Sequence, residues 1–440
     1  MSVKKQLKKI SFEDIQYPNF TWMQNIAGMC VNQPNTMINE LKSMGWSEAN
    51  KQDALTQFIQ HNPIPWKVNI YLPFFSQRSA NQGYTKMINE LETALSQYGV
   101  QFTPSLNQET DSILIINSVW ASANTGDIAS QKINATKLGI KIGMFTMFES
   151  TKWMDVHFKE LQNLDYLIVP SEWNKICLLN QGYDKPIYVC PLPNDEKFHF
   201  VERPEKRDVF TFLMYNAMDY RKGYPEYLEA FQNEFKDETD VKFILKTREN
   251  DPAVANNYIQ NPIFGDKIKW IIKTMTTQEV VLLHQNTDCF VFPSKGEGWG
   301  YPPIEALITG NPVITTKAHS HLEWFNNACL EVGTELVPAS YSISGEEQEG
   351  TGDWYKPNVE DLQKQMRYIY EEYKREGRNA TIFKNAKDQS TIIKNRFDKK
   401  LVAEHLIRIF EDQNILSYEK EISIQQPKRR GRPRKDSKRN

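Results

Sequence analysis

The sequence predicts an α/β protein in two domains, each built on a parallel, doubly wound sheet. Three observations carry that expectation. The chain has 440 residues, more than one hydrophobic core usually covers. Short runs rich in β-branched and aromatic residues alternate with longer amphipathic stretches, the pattern of repeated βαβ units. Several apolar runs end in a glycine- or proline-containing loop that opens a helix, most clearly in VFPSKGEGWGYPPIEALITGNPVITT at 291–316.

Taken in order, residues 1–65 read as a helical extension rich in aromatics, with YPNFTWMQNIAGMC, NTMINELKSMGW and SEANKQDALTQFIQ, and with no assignable function. The string MINEL recurs at 37–41 and 87–91, but nothing around it repeats at a fixed period, so this is no repeat array. A first domain over 66–200 opens with strand KVNIYLP (67–73), the polar loop FFSQRSANQG and helix YTKMINELETALSQYG. It continues with strand 112–118, a helix over 126–138, and strands 141–148 and 166–173, after which IYVCPLPND (187–195) leads through a charged stretch with Pro204 to the second half. A second domain over 201–395 has strands at 209–216, 241–247, 267–273, 288–294 and 311–316, and an amphipathic helix from VEDLQKQMRYIYEEYKREG. A C-terminal helix within 396–424 contains LVAEHLIRIFEDQ, and a basic tail occupies 425–440.

Composition fits an ordinary globular chain, with 40% apolar and 25% charged residues. No apolar run reaches the ~18 residues that span a bilayer. The N-terminus MSVKKQLKKISFEDI lacks the apolar centre of a signal peptide, so a soluble, cytoplasmic chain is expected. Cys30, Cys177, Cys190, Cys289 and Cys329 are odd in number, widely spaced and set in apolar contexts, which suits reduced core thiols. His319 and His321 are the nearest approach to metal-ligand spacing, and no metal is expected. The net charge of −2 conceals a tail, Lys428 to Asn440, with eight Lys/Arg against one Asp, so that the preceding chain carries about −9. That tail has no apolar period and is expected to be disordered without a partner.

Within 291–316, Glu297 and Glu305 are separated by seven residues that include two glycines and two prolines. The apolar VFP ends a strand, the glycines let the backbone approach a ligand, and Pro302-Pro303 open a helix with Glu305 in its first turn. A helix N-terminus at the carboxyl end of a parallel strand is where open α/β sheets bind phosphates and sugars. The stretch resembles the Glu-x7-Glu motif of the retaining nucleotide-sugar glycosyltransferases of family 4. The resemblance covers roughly 66–412, including MYNAMDYRKGYPEYLEAF and DWYKPNVEDLQKQM. It implies the GT-B architecture, two Rossmann-like domains facing across a cleft, and a nucleotide-diphosphate sugar as donor.

The resemblance also implies roles. Lys222, and with it Arg221, would hold the donor diphosphate; the arginine that many members carry six residues before the motif lysine is Asn216 here. Glu305 would bind the ribose hydroxyls and Glu297 the donor sugar, with backbone amides of Gly298, Trp299, Gly300 and Tyr301 as further donors and Gly83 on the facing domain. The family is usually metal independent and needs no cofactor, and the chain has no Asp-x-Asp signature. The leaving phosphate oxygen takes the proton of the attacking hydroxyl, unlike the paired carboxylates of a glycosidase. On the first domain, Gln82-Gly83, Asn117, Glu149 and Ser171-Glu172 are cleft candidates. Phe148-Glu149-Ser150 stands where many members have a histidine. Glu149 then has two readings, an acceptor-side base or a cap for the following helix.

In the tail, PKRRGRPRK at 427–435 centres on Arg430-Gly431-Arg432-Pro433 and resembles an AT-hook. In such a hook glycine permits close approach to the floor of a narrow A·T minor groove and arginines run along it. Double-stranded DNA is therefore the expected partner. Joined, the two signals describe a glycosyltransferase acting on a hydroxylated base in DNA, as phage DNA-modifying enzymes do, with the infected host's cytoplasm as its setting, or a nucleus if the source is eukaryotic. Two alternatives stay open: transfer to a protein or glycan with the tail serving localisation, and an inactive GT-B protein kept as a DNA-binding module.

Overall fold

The computed structural model describes residues 68–73, 82–117, 127–247, 266–343, 346–348 and 351–416. The expected helical extension over 1–65 and the basic tail with Arg430, Gly431, Arg432 and Pro433 lie outside the described residues.

Each domain is an α/β unit around a six-stranded parallel sheet. The first sheet contains β1 (Val68–Tyr71), β2 (Val100–Thr103), β3 (Ser112–Ile116), β4 (Lys141–Phe145), β5 (Tyr166–Val169) and β6 (Ile187–Val189) in the order β2-β1-β3-β4-β5-β6. Between them run helices α1 (Gln82–Ser96), α2 (Asp127–Leu138), α3 (Asp155–Leu161) and α4 (Glu172–Gln181). The second sheet contains β7 (Phe210–Tyr215), β8 (Val241–Thr247), β9 (Ile268–Ile272), β10 (Cys289–Phe292), β11 (Val313–Thr316) and β12 (Cys329–Val332) in the order β12-β11-β10-β7-β8-β9. Its helices are α5 (Tyr224–Phe235), α6 (Thr277–Gln285), α7 (Tyr301–Ile308), α8 (Val359–Glu376) and α9 (Thr381–Arg396).

Central strands of such sheets are covered on both faces, so they are apolar throughout rather than alternating. β3 (SILII) and β10 (CFVF) are buried at every position. Phe210, Phe212, Phe231, Phe235 and Phe243 interlock on one face of the second sheet, edge-on or tilted, the geometry that aromatic quadrupoles favour. Cys177, Cys190, Cys289 and Cys329 are buried free thiols, and burial pushes each of them up, Cys329 to about 12.

Some elements escape the sequence pattern. β2 begins directly after Gly99, and its four residues VQFT are too few to separate an edge strand from the end of α1. β12 is as short. A two-stranded antiparallel ribbon pairs β13 (Thr334–Pro338) with β14 (Asp353–Pro357). Helix α9 has no pattern of its own in the sequence; its mixed run TIFKNAKDQSTIIKNR hides a buried stripe of Ile382, Phe383, Ala386 and Ile393. The last helix, α10 (Lys399–Asp412), leaves the second domain and packs on α1 of the first. There the Tyr98 hydroxyl donates to Glu404 at 2.8 Å and Lys399 lies 3.6 Å from Glu90.

Among the described residues, no helix is long and apolar enough to cross a membrane.

Candidate active site

In the second sheet, β7 lies between β8 and β10. The chain leaves β7 toward β8 and β9 and returns on the other side at β10, so the loops after β7 and β10 diverge at a topological switch point. That is where doubly wound sheets leave a crevice for ligands. The loop after β7 carries Arg221 and Lys222, and the loop after β10 carries Ser294 to Gly300.

The first loop is a single turn of 3-10 helix, Tyr220–Lys222, capped by the Asp219 side chain, which accepts from the Arg221 N–H at 2.9 Å. It ends at Gly223 with φ +74°, where an added Cβ would stand 2.3 Å from the Pro293 carbonyl oxygen. Only glycine meets both demands. The two loops are joined through the backbone by the Lys295 N–H, which donates to the Arg221 carbonyl at 2.8 Å. The Arg221 guanidinium then donates to the Gly296 carbonyl at 2.5 Å.

Lys222 Nζ lies 2.5 Å from Glu297 Oε1, Arg221 Nη1 lies 3.3 Å from the same oxygen, and the Ser294 hydroxyl donates to it at 2.8 Å. Burial alone would raise the Glu297 carboxyl, but Lys222, Arg221 and Ser294 outweigh it and hold the group at about 2. Glu297 is therefore an anion at every physiological pH. Burial and the neighbouring Arg221 pull the Lys222 ammonium below its ordinary value, against Glu297. Two cations thus converge on a buried anion, with the Glu149 carboxyl 3.7 Å from Arg221 as a second acidic neighbour, and the N-terminus of α5 with Pro225 in its first turn stands beside them. Such an arrangement suits a phosphate.

Glu305 is the fifth residue of α7, just past the first turn where the sequence pattern put it, because the helix already begins at Tyr301 after Gly300 at φ +91°. Its partner comes from the facing domain, with Lys86 Nζ of α1 lying 2.5 Å from Glu305 Oε1 and 3.8 Å from Asp195. The ammonium stands between the rings of Phe198 and Tyr301, 4.9 and 5.0 Å from their centres. Burial raises the Glu305 carboxyl and Lys86 pulls it back. Nothing in the sequence marks Lys86. Its helix reads as an ordinary surface helix, and only the juxtaposition of the domains brings it to Glu305.

The glycines are where the two domains touch. A Cβ on Gly296 would lie 1.9 Å from the Glu149 carbonyl oxygen, and one on Gly298 would lie 2.4 Å from Met147 Cγ. Because the first obstacle is backbone, Gly296→Ala is expected to wedge the domains apart, with an increased radius of gyration in X-ray scattering; an unchanged radius would mean that the loop yields instead. Glu149 Oε1 itself lies 3.7 Å from Arg221 Nη2. Burial raises the Glu149 carboxyl, and Arg221 opposes the rise. The helix-cap reading fails, since α3 starts after Met154, with no side-chain cap, five residues beyond Glu149.

Other expected residues fall differently. Trp299 is 2% exposed with its ring edge-on to Phe397 in the core, so only its backbone borders the cleft, and its carbonyl accepts from the Trp324 indole at 2.9 Å. Gly83 lies inside the first turn of α1 rather than in the loop before it. Ser171 is the N-cap of α4, accepting from Asn174 N–H at 3.2 Å. The Glu172 N–H donates to Glu323 Oε1 across the domain boundary at 2.6 Å, so this pair joins the two domains. His319 and His321 are buried supports of the Glu297 loop: His319 Nε2 meets the Ser294 carbonyl at 3.1 Å and His321 Nδ1 the Thr316 carbonyl at 3.1 Å. Burial holds both imidazoles neutral, His319 at about 4. His319 sits at φ +43°, strain that the surrounding bonds hold in place. No group of three or more candidate metal ligands occurs among the described residues.

The Glu323 contact carries a pH prediction. Burial raises its carboxyl to about 7. A carboxyl raised in the folded state adds stability that is fully present below the unfolded value near 4.5 and is lost as pH rises through 7. Glu323→Gln keeps the acceptor for the Glu172 N–H, so its melting temperature should exceed that of the wild type at pH 8 and match it at pH 5. Equal melting curves at both pH values would remove Glu323 as a titrating contact.

Comparisons with known proteins fit this geometry. Residues 195–389 match the family model described as glycosyl transferases group 1. The chain is 25% identical over 125 residues to the serotype-specific mannosyltransferase WbdA of Escherichia coli, covering 26% of this chain and 15% of that protein. It thus spans only a small part of those curated relatives. A putative glycosyltransferase of Acidianus filamentous virus 1 is 24% identical over 209 residues, 46% of this chain and 59% of that one. Among solved structures, sucrose-phosphate synthase from Thermosynechococcus elongatus superposes with a TM-score of 0.58 at 13% identity, covering 79% of this chain and 99% of that chain. Anabaena HepE in complex with UDP-glucose gives 0.57 at 12% identity, covering 79% and 100%. At such identities the structures speak for the fold alone. The fold is GT-B, and the part of the chain holding Lys222, Glu297 and Glu305 matches the group 1 glycosyl transferases.

Proposed function

We propose that this chain is a retaining glycosyltransferase that moves a sugar from a nucleotide-diphosphate donor to a hydroxylated base in DNA. The observation that carries the transferase reading is the cluster in which Lys222 and Arg221 converge on the buried Glu297 at the switch point of the second sheet. In this reading Lys222 and Arg221 face the diphosphate and offset the charge that grows on the leaving phosphate as the anomeric carbon becomes oxocarbenium-like. Glu297 positions the donor sugar and keeps the two cations in place. The leaving phosphate oxygen accepts the proton of the acceptor hydroxyl on the same face of the sugar. Glu149, held by Arg221 on the opposing domain, orients that hydroxyl. Glu305 binds the ribose hydroxyls, which requires Lys86 to yield or share it. The cations of the chain supply the positive charge, so no metal or other cofactor is invoked. The complex of HepE with UDP-glucose makes UDP the first donor nucleotide to try.

The acceptor rests on the sequence Arg430-Gly431-Arg432-Pro433, and a viral relative is compatible with it. A hook in the minor groove leaves a base hydroxyl free to be reached from the major groove or by flipping. The similarity to a mannosyltransferase favours a second reading, a glycan acceptor with the tail serving localisation.

The donor assignment is tested by two substitutions. Glu305→Ala is expected to weaken donor binding and Glu297→Ala to lower turnover chiefly, each lost charged hydrogen bond being worth about 1.5–3 kcal/mol. Calorimetry with nucleotide and steady-state kinetics separate the two, and variants that bind and turn over donor like the wild type would overturn the assignment. EDTA is expected to leave activity intact; abolition with rescue by manganese would contradict the metal-free scheme.

A further inference from the structure

A second site lies at the opposite edge of the same sheet. The segment before β7, the turn between α7 and β11, and the junction of α8 with the start of α9 line a cavity of about 340 Å³. Its walls carry Arg203, Arg378, Lys384 and Lys387, with the rings of Phe200 and Phe383. Donor chemistry takes place at the carboxyl ends of the strands, so this cavity is separate from the cleft.

The charges here do not balance. Arg203, Arg207 and Arg378 surround one buried carboxylate, Asp288, which Arg378 meets at 2.5 Å and Arg207 at 3.5 Å. Arg203 forms no ion pair among the described residues. Its two terminal nitrogens donate to the carbonyls of Thr309 and Gly310 and to Asn311 Oδ1. Nε of Arg203 and Nε of Arg378 are buried and have no acceptor among the described residues, a costly state for charged donors. Burial and the two neighbouring arginines depress the Arg203 guanidinium to about 9, against Asp288. Lys384 likewise has no ion-pair partner among the described residues, and it stands in the first turn of α9, whose N-cap Ala380 offers no side-chain cap. Lys387 pairs with Glu202 at 2.5 Å, and Asn379 bonds Glu205.

We propose that this cavity binds a phosphate-bearing small molecule, its phosphate on Arg203, Arg378 and Lys384 and its ring against Phe200 and Phe383. Guanidinium forks match phosphate oxygens, and the aromatic walls suit a sugar or nucleoside ring. The acidic side chains of Glu202 and Glu205 at the cavity oppose a polyanionic backbone, which favours a free monophosphate over nucleic acid. Phe200 to Arg203 and Glu205, from the segment between β6 and β7, line the cavity, so an occupant also contacts the link between the domains.

The test is a phosphorus NMR titration of the full chain with inorganic phosphate and with a hexose monophosphate. Lys384→Glu and Lys387→Glu change exposed residues of α9 and should fold, as checked by melting temperature. Lys384→Glu is expected to lower affinity about tenfold or more, the effect of losing one charge-assisted contact, and Lys387→Glu, which alters a wall residue paired with Glu202, to lower it less. Saturating UDP, which fills the proposed donor cleft, should leave this binding unchanged. Wild-type affinity in Lys384→Glu, or loss of all phosphate binding when UDP is present, would overturn the proposal. Displacement of bound phosphate by duplex DNA would overturn the small-molecule source and assign the site to a nucleic-acid phosphate.

Discussion

Lys222→Ala is expected to lower turnover roughly 10²–10³-fold, the usual effect of removing one preorganised group that meets charge developing in a transition state. The effect has two origins. The ammonium is assigned to the proposed diphosphate, and it is also the closest partner of Glu297, at 2.5 Å. With it gone, Glu297 keeps only Arg221 and Ser294, and breaking a buried pair by removing one partner commonly costs about 3–5 kcal/mol. Lys222→Ala should therefore also lower the melting temperature. Lys222→Met, which keeps the volume but not the charge, should lose as much turnover. A change in pH separates the two origins. Because Glu297 is depressed to about 2, its contribution to stability is present above the unfolded value near 4.5 and is lost as pH falls toward 2. The wild type should thus lose more stability than Lys222→Ala as pH falls through that window, whereas the turnover defect should persist at neutral pH. A variant with unimpaired turnover would remove Lys222 from the chemistry.

Removing residues 427–440 is expected to lower affinity for long duplex DNA roughly 10²–10³-fold at low salt, since the phosphate contacts of eight cations and their counterion release go with it. Donor hydrolysis and transfer to a short soluble acceptor should survive, because the deletion leaves the cleft intact. The intact chain should prefer A·T-rich duplex, with log affinity falling against log salt at a slope on the order of −0.9 per phosphate neutralised. Replacing Arg430 and Arg432 should erase the A·T preference. Replacing Lys428 and Lys435 should weaken binding to every sequence and flatten the slope. Gel-shift titrations at several salt concentrations distinguish these outcomes, and equal binding to both compositions before and after the arginine changes would leave a generic basic tether.

The parallel sheets and most of their strands are legible in the sequence because buried strands such as β3 and β10 are uniformly apolar and bounded by turns. The loop of Glu297 and Glu305 is legible because two carboxylates beside an apolar run are costly unless a cation or a ligand meets them, and the glycines and prolines around them shape a backbone that a ligand can approach. What stays hidden depends on distance along the chain. Lys86 lies 219 residues from Glu305, and its helix carries no local mark of the partner. The arginine cluster around Asp288 draws on three separate segments, each ordinary alone. The Trp299 indole is core, edge-on to Phe397, a placement that its position between Gly298 and Gly300 does not reveal.

Whether a sugar leaves a nucleotide-diphosphate donor in the cleft of Lys222, Glu297 and Glu305 for a base in DNA is decided by mass spectrometry of digested nucleosides. The DNA is first incubated with the full chain and a panel of nucleotide sugars. Unmodified, hydroxymethylcytosine and hydroxymethyluracil duplexes serve as acceptors, and Glu297→Ala as control. A mass gain of one sugar is expected on a hydroxylated nucleoside with at least one donor, absent from unmodified DNA and strongly reduced with Glu297→Ala. If no donor yields a product on any DNA and none is hydrolysed, the transferase reading is contradicted; if donor is hydrolysed yet no DNA gains sugar, the DNA acceptor is contradicted and a glycan or protein acceptor takes its place.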